Sequence, residues 1–540
     1  MSNDSNDGHT QVESRLIPHA YFLLVLVVLT AGLRDWQVSH TEVAARDSIG
    51  FIRYAWNLDQ SSDWKKVFRE GHQHPGFPVA IHLFSLPARF FWPEDLPRAY
   101  QLSAQFTASF FSVLLVFPLY FLGKEFFNRW QAFWIVALFQ ILPATSKVLG
   151  DGLSESMFLS FATAGLLFAV QGYGRPGIRC WFLSGLFSGA AYLVRPEGLV
   201  VAAASSLLLL GRGVWWRDKE VRQHSFRALA ATLAGTVILA APFMLVIGKI
   251  TSKPTGNIIL NQATVGVMES EIPNYAANPN GQGETVALAS WWSGGDGTQV
   301  QRILWASFAL ADAYVKGLNY FGLLLALAGL ALSGPLFRRD PRLIILVLVF
   351  FLLNIALFRV AKVMGYLSER HALFGILIAM LWIPPGAANL GRGIRILLRK
   401  NGHDISGLER IIPAVALLAL ALPSLAKSME TLHYNREGFK QAGQWLSEHI
   451  QPGDPVEDPF CWSHFYAGKV FLEGKQNLPH SKPRLKYVVV ERSKNPHVRL
   501  QTQKEEDLLK MAGQVVFSWD AKKTKSQLSV VVYSVPVPGG

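Results

Sequence analysis

Charged residues are scarce in this sequence. Asp, Glu, Lys and Arg make up 16% of its 540 residues, whereas about 25% is typical of soluble domains. A soluble chain of this length would also be expected to divide into several domains. The net charge of +13 would suit nucleic-acid binding, but the basic residues lie mostly in short loops between apolar blocks, where they orient a membrane protein. We therefore expect no nucleic-acid partner.

Cysteine is nearly absent as well. Cys180 and Cys461 are the two cysteines, and the topology inferred below places them on opposite sides of a membrane, so no disulfide framework is expected. The segment 1–16 lacks the basic stretch of a cleavable signal peptide, and we interpret it as a cytoplasmic tail followed by a retained helix. No Gly-rich nucleotide-binding loop is found.

Long apolar blocks between short charged loops predict an all-α polytopic membrane protein. Two short blocks interrupted by "RPEG" are interpreted as two helices joined by a tight loop, with a single re-entrant unit as the alternative. Segment 303–315 is a further partial helix. About eleven spans are predicted, at 17–33, 101–123, 131–147, 153–171, 181–194, 198–211, 227–248, 316–335, 342–360, 371–388 and 410–427.

The distribution of Lys and Arg among the short loops predicts a cytoplasmic N-terminus. A transmembrane catalytic module over 17–429 then exposes two long loops to the outside, 34–100 and 249–302. In the first, the amphipathic segments "IGFIRYAWNL" and "WKKVFREG" predict helices that lie in the membrane interface. In the second, "NPNGQGET" and "SGGDG" predict a mobile loop.

The composition changes in 430–540, which we assign to an external domain. A helical pattern covers 437–450, and "EEDLLKMAG" is a second helix-like segment. The strand-like segments are "KYVVVE", "QVVFSW" and "LSVVVYSV". Helices that alternate with apolar strands predict a small α/β domain docked on the membrane part.

Polar residues gather at the predicted outer ends of the spans. On the inferred topology, four groups of them share one face of the membrane. Charged groups at the hydrocarbon boundary are costly unless they are paired or used, and a cluster of both signs suits a phosphate held by Arg beside a carboxylate base. The groups are Asp47; Asp151 and Glu155; Arg195 and Glu197; and Arg359, Lys362, Glu369, Arg370 and His371.

Each group also has a purely structural interpretation. Asp151 and Glu155 would suit the start of any helix. Arg195 and Glu197 would form an ion pair between two helix ends, and Arg370 would extend to the membrane interface. The pair His72 and His74 lacks the spacing of metal ligands on a helix.

The segment "RDSIGFIRYAWNL", followed by "QHPGFP", resembles the acidic motif, Tyr-Ala pair and His-Pro-Pro of dolichyl-phosphate-mannose–protein mannosyltransferase-like proteins. These belong to the GT-C superfamily of polyprenyl-phosphate-dependent glycosyltransferases, which includes protein O-mannosyltransferases and lipid A aminoarabinose transferases. The resemblance covers the membrane part and includes Asp151 to Glu155 and "YLVRPEGL". Two positions depart from it: Ser48 stands where Glu is common, and Gly76 replaces the second Pro.

The resemblance implies transfer of a sugar from a polyprenyl-phosphate donor to the hydroxyl of a lipid, glycan or protein, outside a bacterial inner membrane. Asp47 would be the general base, with a pKa raised by partial desolvation. Asp151 and Glu155 would orient the acceptor, share a divalent metal ion or position an Arg, and no other cofactor is implied. The remaining implied roles are donor-phosphate binding for Arg370, Arg195 and Lys362, and loop support for His74, Tyr54 and Glu197.

A polytopic transporter or flippase of a lipid-linked or anionic substrate is the alternative. Such proteins often have repeats and place charges near the middle of the bilayer. The sequence shows neither feature, and its polar residues are predicted to form a layer at the outer edge. The pattern favours transfer chemistry.

Overall fold

The computed structural model describes residues 7–175, 177–253, 299–400, 407–451, 454–458, 460–473, 485–492, 509–510, 512–521 and 529–537. Nearly all of the predicted mobile loop 249–302 lies outside these ranges, as does most of the helix-like segment "EEDLLKMAG".

Apolar helices form most of the described chain. Seven are long and apolar enough to cross a bilayer, three bent helix pairs pass the same test as pairs, and one further apolar helix is shorter. Each predicted span overlaps one of these helices or pairs, so the polytopic all-α prediction is confirmed. The unbent helices are α1 (Asp7–Ser39), α5 (Leu96–Phe126), α8 (Glu155–Gly174), α9 (Ile178–Val194), α10 (Leu199–Trp215), α11 (Lys219–Ile247), α15 (Leu343–Met364) and α18 (Leu408–Ser428).

Three predicted spans are broken rather than straight. The prediction of one helix over 316–335 is wrong, because Asn319 and Tyr320 adopt positive φ angles of 55° and 49° and turn the chain by 101°. The partial helix predicted at 303–315 belongs to the first half of this pair. The pairs are α6 (Arg129–Ile141) with α7 (Pro143–Gly150), α12 (Gln299–Gly317) with α13 (Phe321–Ala331), and α16 (Glu369–Met380) with α17 (Ile383–Lys400); the short α14 (Gly334–Arg339) precedes α15.

The segment between α1 and α5 contains three helices. Both predicted amphipathic segments are helical, as α2 (Arg46–Gln60) and α3 (Trp64–Glu70). Sequence reasoning missed α4 (Gly76–Phe91). The Arg89 guanidinium on α4 donates to both carboxylate oxygens of Asp59 on α2, at 2.7 and 3.1 Å, and this bidentate ion pair joins the two helices.

A buried arginine stabilises the break between α6 and α7. Leu142 is extended because it precedes Pro143, and the break leaves nearby carbonyl groups without helical donors. The Arg34 guanidinium, only 1% exposed, donates to the Gln140 and Ser146 carbonyl oxygens at 2.9 Å each. The helix α7 that this contact orients leads directly to the loop before α8.

Glycines allow α9 and α11 to pack very closely. A Cβ on Gly185 would lie 2.0 Å from the Thr232 carbonyl oxygen, and a Cβ on Gly235 would lie 2.3 Å from that of Phe182. Gly185 and Gly189 have the small-xxx-small spacing that brings membrane helices together. The contact fixes the ends of both helices, from which Arg195 and Lys253 follow in the chain.

The C-terminal part is a small α/β domain, as predicted. Its sheet has the strand order β1-β2-β4-β3, with β1 parallel to β2 and the other pairs antiparallel. Three predicted strands and the first predicted helix are confirmed, whereas β1 and α20 were missed. The elements are α19 (Glu437–His449), β1 (Val456–Glu457), α20 (Trp462–Tyr466), β2 (Leu485–Arg492), β3 (Gln514–Asp520) and β4 (Ser529–Pro536).

The close contact between α9 and α11 leads to a test of stability. Gly185→Ala should lower the free energy of unfolding by about 2 kcal/mol or more, because the new methyl group collides with backbone that cannot move away. Gly32→Ala is the matched control, since nothing lies within 4 Å of a Cβ at that helical position. Thermal unfolding of the purified variants measures the difference, and equal midpoints would contradict the packing.

Candidate active site

The ends of four chain segments meet at one edge of the helical bundle. Asp47 lies in the first turn of α2, Glu155 is the first residue of α8, Arg195 follows α9, and Arg370 is the second residue of α16. Glu197 lies in the short turn between α9 and α10. Helix ends leave the bundle here, so their first and last side chains converge.

Ion pairs connect these side chains into one network. Arg370 Nη2 lies 2.7 Å from Asp47 Oδ2, and Arg370 Nε lies 2.5 Å from Glu155 Oε1. The same Glu155 oxygen lies 2.5 Å from Arg195 Nη1, and Arg195 Nη2 lies 3.4 Å from Glu197 Oε1. We call these five residues the charge cluster.

The side chains of the charge cluster differ in how far they are buried. The side chains of Glu155 and Arg195 are 2% and 6% exposed, whereas that of Asp47 is 45% exposed. A narrow cleft follows the buried side, and its walls combine the charges of Glu155, Arg195, Glu197 and Arg370 with the apolar side chains of Phe158, Leu353, Leu373 and Phe374. The cleft therefore has both charged and apolar walls.

Lys253 is a basic residue of the site that sequence reasoning missed. It is half-buried just beyond α11, close enough to Glu155, Glu197 and Arg195 for their charges to act on it, and burial lowers its pKa to about 8. Within the described ranges its ammonium makes no direct ion pair, while Glu155 Oε2 and Glu197 Oε2 are buried without a hydrogen-bond donor. The lysine is therefore a desolvated cation available to an anion.

His74 holds the segment that carries Lys253. Burial lowers the pKa of His74 to about 3, so the ring is neutral. Nδ1 lies 2.7 Å from the Tyr192 carbonyl oxygen, which can only accept, so Nδ1–H donates and Nε2 accepts from the Thr251 hydroxyl at 2.9 Å. The Tyr192 hydroxyl donates to the Ile250 carbonyl. The ring thus anchors residues 250–253 to the end of α9.

The glycine that departs from the His-Pro-Pro pattern has a packing reason. A Cβ on Gly76 would lie 2.8 Å from the Leu193 carbonyl oxygen. A larger residue would push the start of α4 away from α9 and would move His74 with it.

Tyr54 and Lys362 are two further residues that the sequence predicted for the site. The Tyr54 ring packs on Phe68, with centroids 6.4 Å apart. Its hydroxyl oxygen lies 2.7 Å from the position of a Cβ on Gly71, so Tyr54 joins α2 to α3. Lys362 is in the last turn of α15, and the ion pairs that build the charge cluster are made by Arg195 and Arg370 instead. Its assignment to the phosphate stays a prediction.

Asp151 pairs with the C-terminal segment rather than with the charge cluster. Its Oδ2 lies 2.7 Å from His433 Nε2. Burial alone would lower the pKa of His433, but the Asp151 carboxylate outweighs it and the pKa is raised. Gly152, at φ +65°, brings the same loop against Ser48, next to Asp47. Sequence reasoning had no signal for this partner, because His433 lies in an irregular linker.

The expected direction of the Asp47 pKa is wrong. The charge of Arg370 outweighs desolvation and lowers the pKa of this carboxyl. Asp47 is therefore ionised at neutral pH and ready to accept a proton, although it is a weaker base than the sequence suggested.

The described residues of the site do not fit a divalent metal ion. Among the described residues, no three His, Cys, Asp or Glu side chains are grouped as metal ligands would be. Asp47 and Glu155 are neutralised by guanidinium groups, and Asp151 is paired with His433. We derive no chemical step through a metal.

A family model described as dolichyl-phosphate-mannose-protein mannosyltransferase matches residues 98–245. This range runs from α5 to α11 and contains Glu155, Arg195 and Glu197. Over this range the chain resembles dolichyl-phosphate-mannose-protein mannosyltransferases.

Solved structures share this fold at low sequence identity. The archaeal oligosaccharyltransferase AglB from Archaeoglobus fulgidus, in complex with an inhibitory peptide and a dolichol-phosphate, matches with a TM-score of 0.54 at 14% identity, over 94% of this chain and 74% of that one. A complex of the same enzyme with Zn and sulfate matches with a TM-score of 0.53 at 14% identity, over 92% and 72%. ArnT from Cupriavidus metallidurans, bound to undecaprenyl phosphate, matches with a TM-score of 0.51 at 12% identity, over 95% and 97%.

The extent of these matches differs. The chain spans 63 to 75% of the length of the Archaeoglobus fulgidus oligosaccharyltransferase, depending on which of its structures is compared. By contrast, it spans 97% of the length of ArnT. No curated protein sequence matches the chain.

The pair of Asp151 and His433 predicts a pH-dependent stability. A histidine pKa raised above its ordinary value of 6.5 stabilises the fold below that pH, and the stabilisation is lost as the pH rises through the folded value. His433→Gln should therefore reduce the free energy of unfolding most below about pH 6 and least at high pH. His433 also faces Arg436 and Lys147, whose charges oppose its protonation.

The measurement is denaturant or thermal unfolding of both proteins across this pH range. The control repeats this comparison in proteins that also carry Asp151→Asn. Without the Asp151 carboxylate, the effect of His433→Gln on stability should no longer depend on pH. A difference between wild type and His433→Gln that stays constant with pH would contradict the pairing.

Proposed function

We propose that this protein transfers a sugar from a polyprenyl-phosphate donor to an acceptor hydroxyl at the outer face of a bacterial inner membrane. The observation that carries the proposal is the ion-pair network of Arg370, which holds Asp47 and Glu155 together beside a cleft with apolar walls. The match of residues 98–245 to the mannosyltransferase family model supports glycosyl transfer. The dolichol-phosphate in AglB and the undecaprenyl phosphate in ArnT support a lipid-phosphate donor.

The donor phosphate is assigned to the basic side chains. Arg195, Arg370 and Lys253 balance the three carboxylates of Asp47, Glu155 and Glu197, so the site is neutral before a ligand binds. Lys253 is the cation of the site without a direct partner among the described residues, and a partly desolvated cation favours an anion. We assign the first contact of the phosphate to Lys253, with Arg370 and Arg195 behind it.

The reaction breaks one bond and forms one. The acceptor oxygen attacks the anomeric carbon, and the bond between that carbon and the phosphate oxygen breaks with its electron pair leaving on the polyprenyl phosphate. The acceptor proton passes to Asp47, which is the exposed carboxylate of the cluster. The phosphate gains one negative charge as it leaves, and nearby cations stabilise this charge without reorganisation.

The bridging position of Arg370 links these two events. While Asp47 is ionised, it holds one side of the guanidinium. Proton transfer neutralises Asp47 and weakens that ion pair, so Arg370 becomes available to the leaving phosphate at the moment its charge increases. Glu155 remains ionised and keeps the guanidinium in place.

Asp47→Asn tests the base. The variant retains the shape of the side chain but cannot accept the proton, so release of undecaprenyl phosphate from undecaprenyl-phosphate-linked hexoses and pentoses should fall at least about 100-fold. Binding of undecaprenyl phosphate itself should be retained. Asp35→Asn, at an exposed aspartate on α1, is the control. Turnover close to wild type in the folded Asp47→Asn protein would remove Asp47 from this role.

Lys253 gives a separate test of the phosphate site. Lys253→Met should weaken binding of undecaprenyl phosphate by about 10-fold or more, because a buried charge-assisted contact is lost. Because the pKa of Lys253 is lowered to about 8, wild-type affinity should decline between pH 7 and 9. Lys253→Arg, which stays charged, should remove that decline.

The measurement for Lys253 is a titration of the purified proteins with undecaprenyl phosphate at each pH. Lys249→Met is the matched control, since Lys249 lies four residues earlier in the chain, is exposed and makes no described contact with the cluster. Equal affinities for the wild type and Lys253→Met would reject the assignment.

A further inference from the structure

The helix that carries Asp47 has no cap of its own. Ala45 is the N-cap residue of α2 and makes no side-chain hydrogen bond to the helix. Alanine is among the weakest N-cap residues. By contrast, α3 and α5 in the same region are capped by Asp63 and Asp95. The local sequence therefore does not determine where α2 begins.

The C-terminal domain supplies the contacts that the local sequence lacks. The backbone N–H of Ala44 donates to the Tyr466 hydroxyl at 2.8 Å. The indole Nε1–H of Trp462 donates to the Ala44 carbonyl oxygen at 2.7 Å. Both polar groups of one backbone residue, three positions before Asp47, are thus bound by side chains of α20. We call this arrangement the Ala44 clamp.

The clamp is buried and connected to the bundle. Ala44 and Trp462 are 2% and 3% exposed, so their hydrogen bonds cannot be replaced by water without opening the interface. The Tyr466 hydroxyl also donates to Gln101 Oε1 on α5 at 2.8 Å. The tyrosine is therefore fixed between the membrane part and the segment it holds.

Further contacts continue the interface along the chain. The Glu42 N–H donates to the Leu432 carbonyl, and the Leu432 N–H donates to the His40 carbonyl, so the linker after α18 pairs with the segment before α2. Arg46 lies over the ring of Phe460 at 5.7 Å. The external domain therefore contacts both sides of the position at which the chain enters α2.

We infer that the C-terminal domain positions the catalytic carboxylate, with Tyr466 and Trp462 as positioning residues that act on Asp47 through the Ala44 backbone. This inference rests on the proposed function, since it takes Asp47 as the base. Neither residue touches the basic side chains of the donor site. Loss of the clamp should therefore slow the chemical step and leave donor binding unchanged.

The experiment uses the full-length protein with Tyr466→Phe and Trp462→Phe, which remove a hydroxyl or an N–H while keeping an aromatic ring. Tyr533→Phe is the matched control, because its buried hydroxyl binds Arg492 within the sheet of the same domain. Three quantities are measured: deuterium exchange of peptides covering 40–52, affinity for undecaprenyl phosphate, and kcat and KM with undecaprenyl-phosphate-linked sugars.

Both clamp variants should exchange faster over 40–52, with their melting temperatures close to wild type. Their kcat should fall by about 10- to 100-fold, since small displacements of a catalytic group have effects of this size. KM and affinity for undecaprenyl phosphate should stay within about twofold. Tyr533→Phe should match the wild type in all three measurements.

Unchanged exchange over 40–52, or an unchanged kcat in both variants when Asp47→Asn is inactive, would overturn the inference. A reduced kcat accompanied by equally weakened undecaprenyl phosphate binding would also overturn it, because it would indicate a general loss of structure. If the wild type itself releases no undecaprenyl phosphate, the proposed function fails. The exchange measurement then decides alone whether the domain holds the start of α2.

Discussion

The bridge that Arg370 makes between Asp47 and Glu155 is the interaction on which the site depends. The two carboxylates come from α2 and α8, and the arginine comes from α16. Without it, the buried Glu155 would lose one of its two guanidinium partners, and Asp47 would lose the charge that lowers its pKa most. Breaking a buried ion pair is strongly destabilising because it leaves an uncompensated charge. The bridge therefore links the external loop to the membrane bundle both structurally and electrostatically.

The rest of the molecule places the three elements that meet at this bridge. Arg34 satisfies the carbonyl groups at the break before α7 and so directs the chain towards α8. The close contact of α9 with α11 fixes the end from which Arg195 extends. The neutral His74 ring ties the segment with Lys253 to the same end, and the C-terminal domain holds the start of α2. Each contact joins parts of the chain that are far apart in sequence.

Much of the fold could be predicted because a single physical requirement determines it. A helix that crosses a bilayer must be apolar over about 20 residues, and such runs are visible without any tertiary information. The break at Asn319 and Tyr320 was missed because neither residue is Gly or Pro, which are the usual signals of a positive φ angle or a helix end. The helix α4 was missed because it is shorter than a span and contains Pro87.

The site was partly predictable for a related reason. Charged residues at the ends of apolar runs, such as Arg195 and Arg370, stand out because the membrane makes them costly. Lys253 does not stand out in the sequence in this way, since it lies in a polar loop. Its partial burial depends on the contact between His74 and Thr251, which folds that loop back. His433, Trp462 and Tyr466 were missed because their partners lie 282 to 422 residues away along the chain, and no local pattern encodes such a contact. The lowered pKa of Asp47 could not be predicted for the same reason, because the Arg370 charge that causes it belongs to a distant part of the chain.

A structure of the protein determined with undecaprenyl phosphate bound is the most direct measurement of the central claim. The account predicts density for the phosphate within hydrogen-bonding distance of Lys253 and Arg370, beside the cleft that the charge cluster lines. Asp47 should remain on the solvent side of the phosphate. A phosphate bound elsewhere, with the ion pairs of Arg370 intact and the cleft empty, would contradict it.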